Sequence, residues 1–308
     1  MIISRTPFRV SLFGGGSDYP KWYCQHGGAV LGFAIDKYCY ISVRPLPQFF
    51  EHRHRIVYSE VECVNDIADI QHPAVRAVLQ DQKVDTGLEI HHDGDLPARS
   101  GLGSSSSFTV GMLNALYALR GAMIDKQKLA QEAIRIEQRV IGEAVGSQDQ
   151  VWAAFGGINR IEFPIAGDFQ VRPLVIPGER RQELFDHLLL FFTGSSRFAS
   201  ETAQKQIDNF DKRQEHLKTM TSLVDEAQGV LQSDSRPIRE IGDLLNQSWQ
   251  LKRELADSVT TLEIDEIYDA ALDAGALGGK LLGAGGGGFV LLFVEPDKQE
   301  AVKERLKD

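Results

Sequence analysis

Residues 96–110, LPARSGLGSSSSFTV, set backbone N–H groups without bulky side chains beside a row of hydroxyls. A strand-like run at residues 88–92 precedes them across the turn at Asp93 and Gly94. Behind them Phe108, Val110, Met112, Leu113, Leu116 and Leu119 recur at helical spacing as far as Arg120. The glycines therefore stand between a strand and a helix N-terminus, where unpaired N–H groups and the positive end of the helix dipole favour an anion. Small residues let a phosphate approach those groups, and serine hydroxyls add hydrogen bonds or a metal ligand. The spacing predicts a phosphate cradle. A plain capped turn is the competing reading, because serine is also a favoured N-cap.

Two further glycine clusters follow the same logic, FRVSLFGGGSDYP at residues 8–20 and GGKLLGAGGGGFVLLF at residues 278–293. Glycine in or beside a strand weakens packing and marks a close approach of another backbone or a ligand, so the clusters predict one shared cleft. The last cluster spells a dinucleotide fingerprint at Gly283, Gly285 and Gly288, but that motif opens a helix, whereas here a strand-like run at residues 289–294 follows. A P-loop is excluded as well: the Gly279-Lys280 pair is followed by Leu281 and lacks the upstream glycine. An ATP cradle in this chain is of another kind.

The elements that must position these loops are legible in outline. Strands are predicted at residues 2–13, 29–43, 156–163, 188–193 and 289–294, and helices at 73–80, 126–142, 199–232, 238–255, 262–274 and 297–306. Pro164, Gly167, Pro173, Pro177 and Gly178 mark a seam near Pro177. With 308 residues, 43% hydrophobic and 8% aromatic, the chain can build one large or two moderate cores. A net charge of −10, a pI near 5.3 and scattered basic residues exclude a broad nucleic-acid footprint, so an anionic ligand must be held locally. Cys24, Cys39 and Cys63 are odd in number and in no metal-like spacing, as in reduced cytoplasmic thiols. His52, His54, His91 and His92 lack acidic or cysteine partners in sequence and predict no zinc site. Neither a signal peptide nor an apolar run of spanning length is evident, which predicts a cytoplasmic protein without a membrane partner.

PARSGLGSSSS, between strand and helix, resembles the second signature of the GHMP kinases, the family of galactokinase and of homoserine, mevalonate and phosphomevalonate kinases. TPFRVSLFGGGSDYP resembles the first signature and KLLGAGGGGF the third, in the family's order and over essentially the whole chain. The resemblance implies a two-domain α+β fold. Residues 1–176 would form an N-terminal α/β ATP-binding domain (ribosomal protein S5 domain 2-like) with a left-handed βαβ crossover, and residues 177–308 a ferredoxin-like C-terminal domain, with the active site between them. It implies an ATP- and Mg²⁺-dependent phosphotransferase acting on an alcohol group of a sugar. The GGGSD start, the GSQDQVWAAFGG segment at residues 146–157 and the compact length are most similar to members that phosphorylate the anomeric hydroxyl of a heptose 7-phosphate. A C1 kinase for an unphosphorylated galactose- or fucose-type sugar, and a catalytically silent sensor of sugar and nucleotide, are the alternatives.

By the same likeness Gly101, Leu102, Gly103, Ser104, Ser105 and Ser106 wrap the ATP phosphates, with Ser104 or Ser105 and Glu137 holding Mg²⁺. Asp149 matches the catalytic base of several members. Arg9 stands where many carry lysine, which permits charge support of the transferred phosphoryl group but no lysine-like proton relay. Asp18 would accept hydrogen bonds from sugar hydroxyls, Gly14, Gly15 and Gly16 would let substrate lie against backbone, and Gly285 and Gly286 would close over it. A distal phosphate calls for cations, for which Arg197, Lys252, Arg253 and Lys280 are candidates. Residue type alone leaves other readings open: Glu137 as a solvated helix carboxylate beside Arg135 and Arg139, Asp149 as an N-cap, Asp18 as an Asx-turn with Ser17 and Tyr19, the cations as surface charges. The expected partner is a small-molecule sugar or sugar phosphate, with no nucleic acid. No isolated apolar helix demands a dimer, and a homodimer is left open.

Overall fold

The computed structural model describes residues 1–195 and 199–307. Segments distant in sequence gather into two compact units: Met1–Arg9, Ala34–Ala98 and Gly103–Gly157 form the first, and Val10–Phe33, Arg99–Leu102 and Ile158–Asp308 the second. The chain passes between units at Arg9, at Phe33, at Ala98, at Leu102 and at Gly157. In chain order the first half contains β1 (Ile2–Phe13), α1 (Pro20–His26), β2 (Gly28–Pro45), β3 (His54–Val57), β4 (Val61–Val64), α2 (Pro73–Asp81), β5 (Leu88–Gly94), α3 (Ser104–Leu119), α4 (Lys126–Arg135) and α5 (Gln148–Phe155). The second half contains β6 (Ile158–Phe163), β7 (Gln170–Pro173), α6 (Gly178–Asp186), β8 (Leu188–Phe192), α7 (Ala199–Asn209), α8 (Gln214–Gln232), α9 (Glu240–Arg253), α10 (Leu262–Asp273), β9 (Ala276–Leu281), β10 (Phe289–Val294) and α11 (Gln299–Arg305).

A seven-stranded mixed sheet runs β4-β3-β5-β2-β6-β7, with β1 paired to β2. In the first unit β3 lies parallel to β5, and Ile41, Val43, Ile56, Leu88 and Ile90 supply its buried positions. Phe108, Met112, Leu113 and Leu116 of α3, Leu129 and Ala133 of α4, and Val151 and Trp152 of α5 are buried in the same unit. Asp125 starts α4 by accepting a hydrogen bond from Lys128 N at 2.8 Å, as an N-cap should. The helix predicted at residues 126–142 ends differently: its last stretch, Ile136–Ile141, winds as a π-helical turn. Such turns gather at functional sites, and this one carries Glu137.

In the second unit the N-terminal half of β2 pairs antiparallel with β6, and β6 with β7. A separate three-stranded antiparallel sheet, β8-β10-β9, packs on Trp249, Tyr268 and Val302 through Leu281, Val290, Leu292 and Val294. Residues 199–232, one helix by their periodicity, form α7 and α8 with a break at Phe210–Lys212. Phe210 is buried at that break against Tyr19, with centroids 5.7 Å apart, and Trp22, 6.3 Å apart. The break is therefore where the helix turns an aromatic side chain inward. No helix among the described residues is long and apolar enough to cross a membrane.

Candidate active site

In the first unit the second glycine motif delivers the N-terminus of α3. Gly103 is its N-cap in a left-handed conformation, φ 78° and ψ 24°, and being glycine supplies no side-chain cap of its own. A Cβ at this position would be strained, and would lie 3.2 Å from Arg9 Cγ and 3.5 Å from Asp149 Oδ2. Glycine thus brings the positive end of α3 beside two charged side chains. Arg9, on β1, donates from Nε to Asp149 Oδ1 at 2.7 Å and from Nη2 to Oδ2 at 2.7 Å. This is a bidentate pair between residues 140 apart in sequence. Arg9 is 5% exposed and Asp149 25%, so the carboxylate is the half of the pair that solvent or substrate can reach. Each carboxylate oxygen retains a second lone pair for a further donor. Asp149 occupies the first turn of α5, where the helix dipole favours a negative charge; the N-cap position itself belongs to Ser147.

Glu137 is fully buried, which overturns its reading as a solvated carboxylate. Ser106 Oγ donates to its Oε2 at 2.8 Å, and Gln150 Nε2 donates to the same oxygen. The Thr109 hydroxyl, 3.2 Å from Ser105 O, also faces this carboxylate and favours its anion. Burial pushes the Glu137 carboxyl up to about 7, against the hydrogen bonds that favour its anion. Oε1 has no hydrogen-bond partner among the described residues. A buried carboxylate with one oxygen unsatisfied fits a cation ligand, and a lone carboxylate with hydroxyls and nucleotide phosphates is a donor set suited to Mg²⁺. The serine hydroxyl that meets this carboxylate is that of Ser106, one position beyond the pair that the resemblance assigns to the metal.

In the second unit the start of the same motif interlocks with the third glycine cluster. Phe289 N donates to Ser100 O at 3.1 Å, a Cβ on Gly101 would stand 2.5 Å from Leu282 O, and one on Gly288 would stand 2.4 Å from Ser100 O. Gly285 and Gly286 belong to this turn, and the Gly286 amide is bonded to Val259 O at 2.9 Å. In the first cluster the Gly14 carbonyl accepts from Ser17 N at 3.0 Å and from Ser17 Oγ at 2.8 Å. Gly15 and Gly16 continue that turn, and buried Asp18 accepts from Gly16 N, two residues before it, at 3.0 Å through Oδ1.

Three of the cations proposed for a distal phosphate are engaged within the chain. Buried Lys280 donates to Leu12 O at 2.9 Å, and buried Lys252 to Leu281 O at 3.0 Å and Gly283 O at 2.6 Å. Arg253 pairs with Asp265 at 3.0 Å. Buried ammonium groups must be met by oxygens, and here backbone carbonyls do so. Arg197 lies outside the described residues.

The pairing of Arg9 with Asp149 and the contact of Gln150 with Glu137 carry no signal in the sequence beyond the types themselves, since the first joins residues 140 apart and the second joins two separate helical segments. The models of the GHMP kinases N terminal domain and of the GHMP kinases C terminal match residues 69–157 and 230–308. The chain belongs to the GHMP kinase family. This GHMP kinase is 29% identical over 311 residues to the D-glycero-alpha-D-manno-heptose 7-phosphate kinase of Campylobacter jejuni, covering 97% of this chain and 91% of the relative. It is 27% identical over 330 residues to the bifunctional fucokinase/GDP-fucose pyrophosphorylase of Arabidopsis thaliana, where 98% of this chain spans only 31% of the larger protein. A D-glycero-D-manno-heptose 1-phosphate kinase from Bacteriodes thetaiotaomicron matches in structure over 100% of this chain and 92% of its own, with a TM-score of 0.79 and 25% identity. The two-domain α+β GHMP kinase fold is thereby established.

Proposed function

We propose that this GHMP-family sugar kinase uses Mg²⁺-ATP to phosphorylate the anomeric hydroxyl of D-glycero-D-manno-heptose 7-phosphate, giving the 1,7-bisphosphate in the cytoplasm. The observation that carries the chemistry is the bidentate Arg9–Asp149 pair beside the glycine-capped N-terminus of α3. Likeness to a heptose 7-phosphate kinase over nearly the whole chain supports the sugar. Residues 1–176 are proposed as the ATP-binding domain and 177–308 as the C-terminal domain, with the two family models on either side of that division.

In this proposal Gly101, Leu102, Gly103, Ser104, Ser105 and Ser106 hold the ATP phosphates through backbone N–H groups and hydroxyls. Glu137 and a serine of the row hold Mg²⁺, which when bound neutralises phosphate charge. Asp149 accepts the proton of the anomeric hydroxyl as that oxygen bonds to the γ-phosphorus and the bond from phosphorus to the β–γ bridging oxygen breaks, releasing ADP. Arg9 fixes the carboxylate by both oxygens and keeps a positive charge beside the reacting groups. Gly14, Gly15, Gly16, Asp18, Arg197, Gly285 and Gly286 are the proposed sugar contacts. Replacing Asp149 by Asn is expected to lower kcat by about 10²- to 10⁴-fold with KM for ATP unchanged. Undiminished turnover would remove Asp149 as the base.

A second reading, a C1 kinase for an unphosphorylated sugar, is favoured by one observation: Lys252 and Lys280 are buried on backbone carbonyls and Arg253 is paired with Asp265.

A further inference from the structure

Gln150 follows Asp149 directly and is fully buried on α5. Its amide and the Ser106 hydroxyl of α3 both donate to Oε2 of Glu137, while Oε1 of that carboxylate has no hydrogen-bond partner among the described residues. A carboxylate fixed through one oxygen from two helices has lost the rotation that would exchange its oxygens. Its other oxygen is presented in one direction. Gln150 is itself asymmetric: its own Oε1 has no hydrogen-bond partner among the described residues. A buried amide that serves packing alone is normally satisfied at both ends.

We propose, resting on the kinase reading above, that Gln150 is a positioning residue for the cation's carboxylate. By holding Oε2 it aims Oε1 of Glu137 at the metal, and its place beside Asp149 ties that aim to the helix carrying the base. Partners that orient a metal ligand in this way are commonly worth about 10- to 100-fold in metal affinity.

The test measures Mn²⁺ binding by EPR to the full-length protein saturated with AMPPNP, with thermal melting recorded alongside. Gln150→Met, close in length and without a donor, is expected to raise the Mn²⁺ Kd by about tenfold or more. Gln150→Asn keeps an amide but withdraws it by one methylene; it should give a smaller rise, and carries the test if the Met variant does not fold. An unchanged Kd in the folded variants would overturn the positioning role even if Tm fell, because an amide with a purely structural role moves only Tm. If the wild-type complex holds Mn²⁺ no better than AMPPNP alone, the kinase reading of Glu137 fails and the positioning role goes with it.

Discussion

Arg9 and Asp149 are bonded as one unit, and the proposed mechanism gives this pairing a measurable signature. A lysine at position 9 keeps the charge but cannot reproduce two parallel N–H bonds to one carboxylate. Arg9→Lys is expected to lower kcat by about tenfold or more, and the double variant Arg9→Lys with Asp149→Asn to be little worse than Asp149→Asn alone. Additive losses in the double-mutant cycle would show that the two residues work separately. Each was visible in the sequence through its motif. Their pairing was not, because it is set by how β1 and α5 pack. Glu137 shows the same limit in sharper form: glutamate beside arginines reads as exposed, and only the fold buries it.

The loop before α3 depends on a backbone that side chains resist. Gly103→Ala places a Cβ at φ 78° and 3.2 Å from Arg9 Cγ, so a loss of about 1–2 kcal/mol in stability is expected, together with a raised KM for ATP. Thermal melts and initial rates decide; wild-type values for both would mean that the left-handed cap is dispensable. Long periodic or strongly apolar segments were legible: β1 and β10 fall where their patterns put them. The four-residue strands β3, β4 and β7 were not, being too short for alternation to stand out from loop. β9 hid because Gly278 and Gly279 read as loop, and the break at Phe210 because helical periodicity continues through it.

Acid stability should reflect one buried carboxylate and its basic partners in the first unit. Glu89 is buried among Arg44, Arg55 at 3.3 Å and His91 at 3.0 Å. The His91 hydrogen bond, reinforced by Arg44, holds its carboxyl below the usual range despite burial. The unfolded chain therefore binds the proton more tightly, so this stabilisation is complete above the ordinary value of 4.5 and is lost as pH falls through the lower folded value. Glu89→Gln should lower Tm at about pH 7 and flatten its fall below about pH 4.5. Parallel Tm curves for wild type and variant would exclude Glu89 as a source of acid lability. At this scale the three signatures made the family and its fold legible. The threading was not, since β1 and β2 each serve both units and no composition shift marks where a strand changes unit.

The substrate claim is tested most directly by coupled ADP release with Mg-ATP against heptose 7-phosphate, mannose 6-phosphate, sedoheptulose 7-phosphate, galactose, fucose and mannose, locating the new phosphate by phosphorus NMR. Turnover selective for heptose 7-phosphate, with a new phosphate on the anomeric oxygen, is the predicted result. Turnover confined to a free sugar would contradict the heptose assignment while leaving the Arg9–Asp149 chemistry in place.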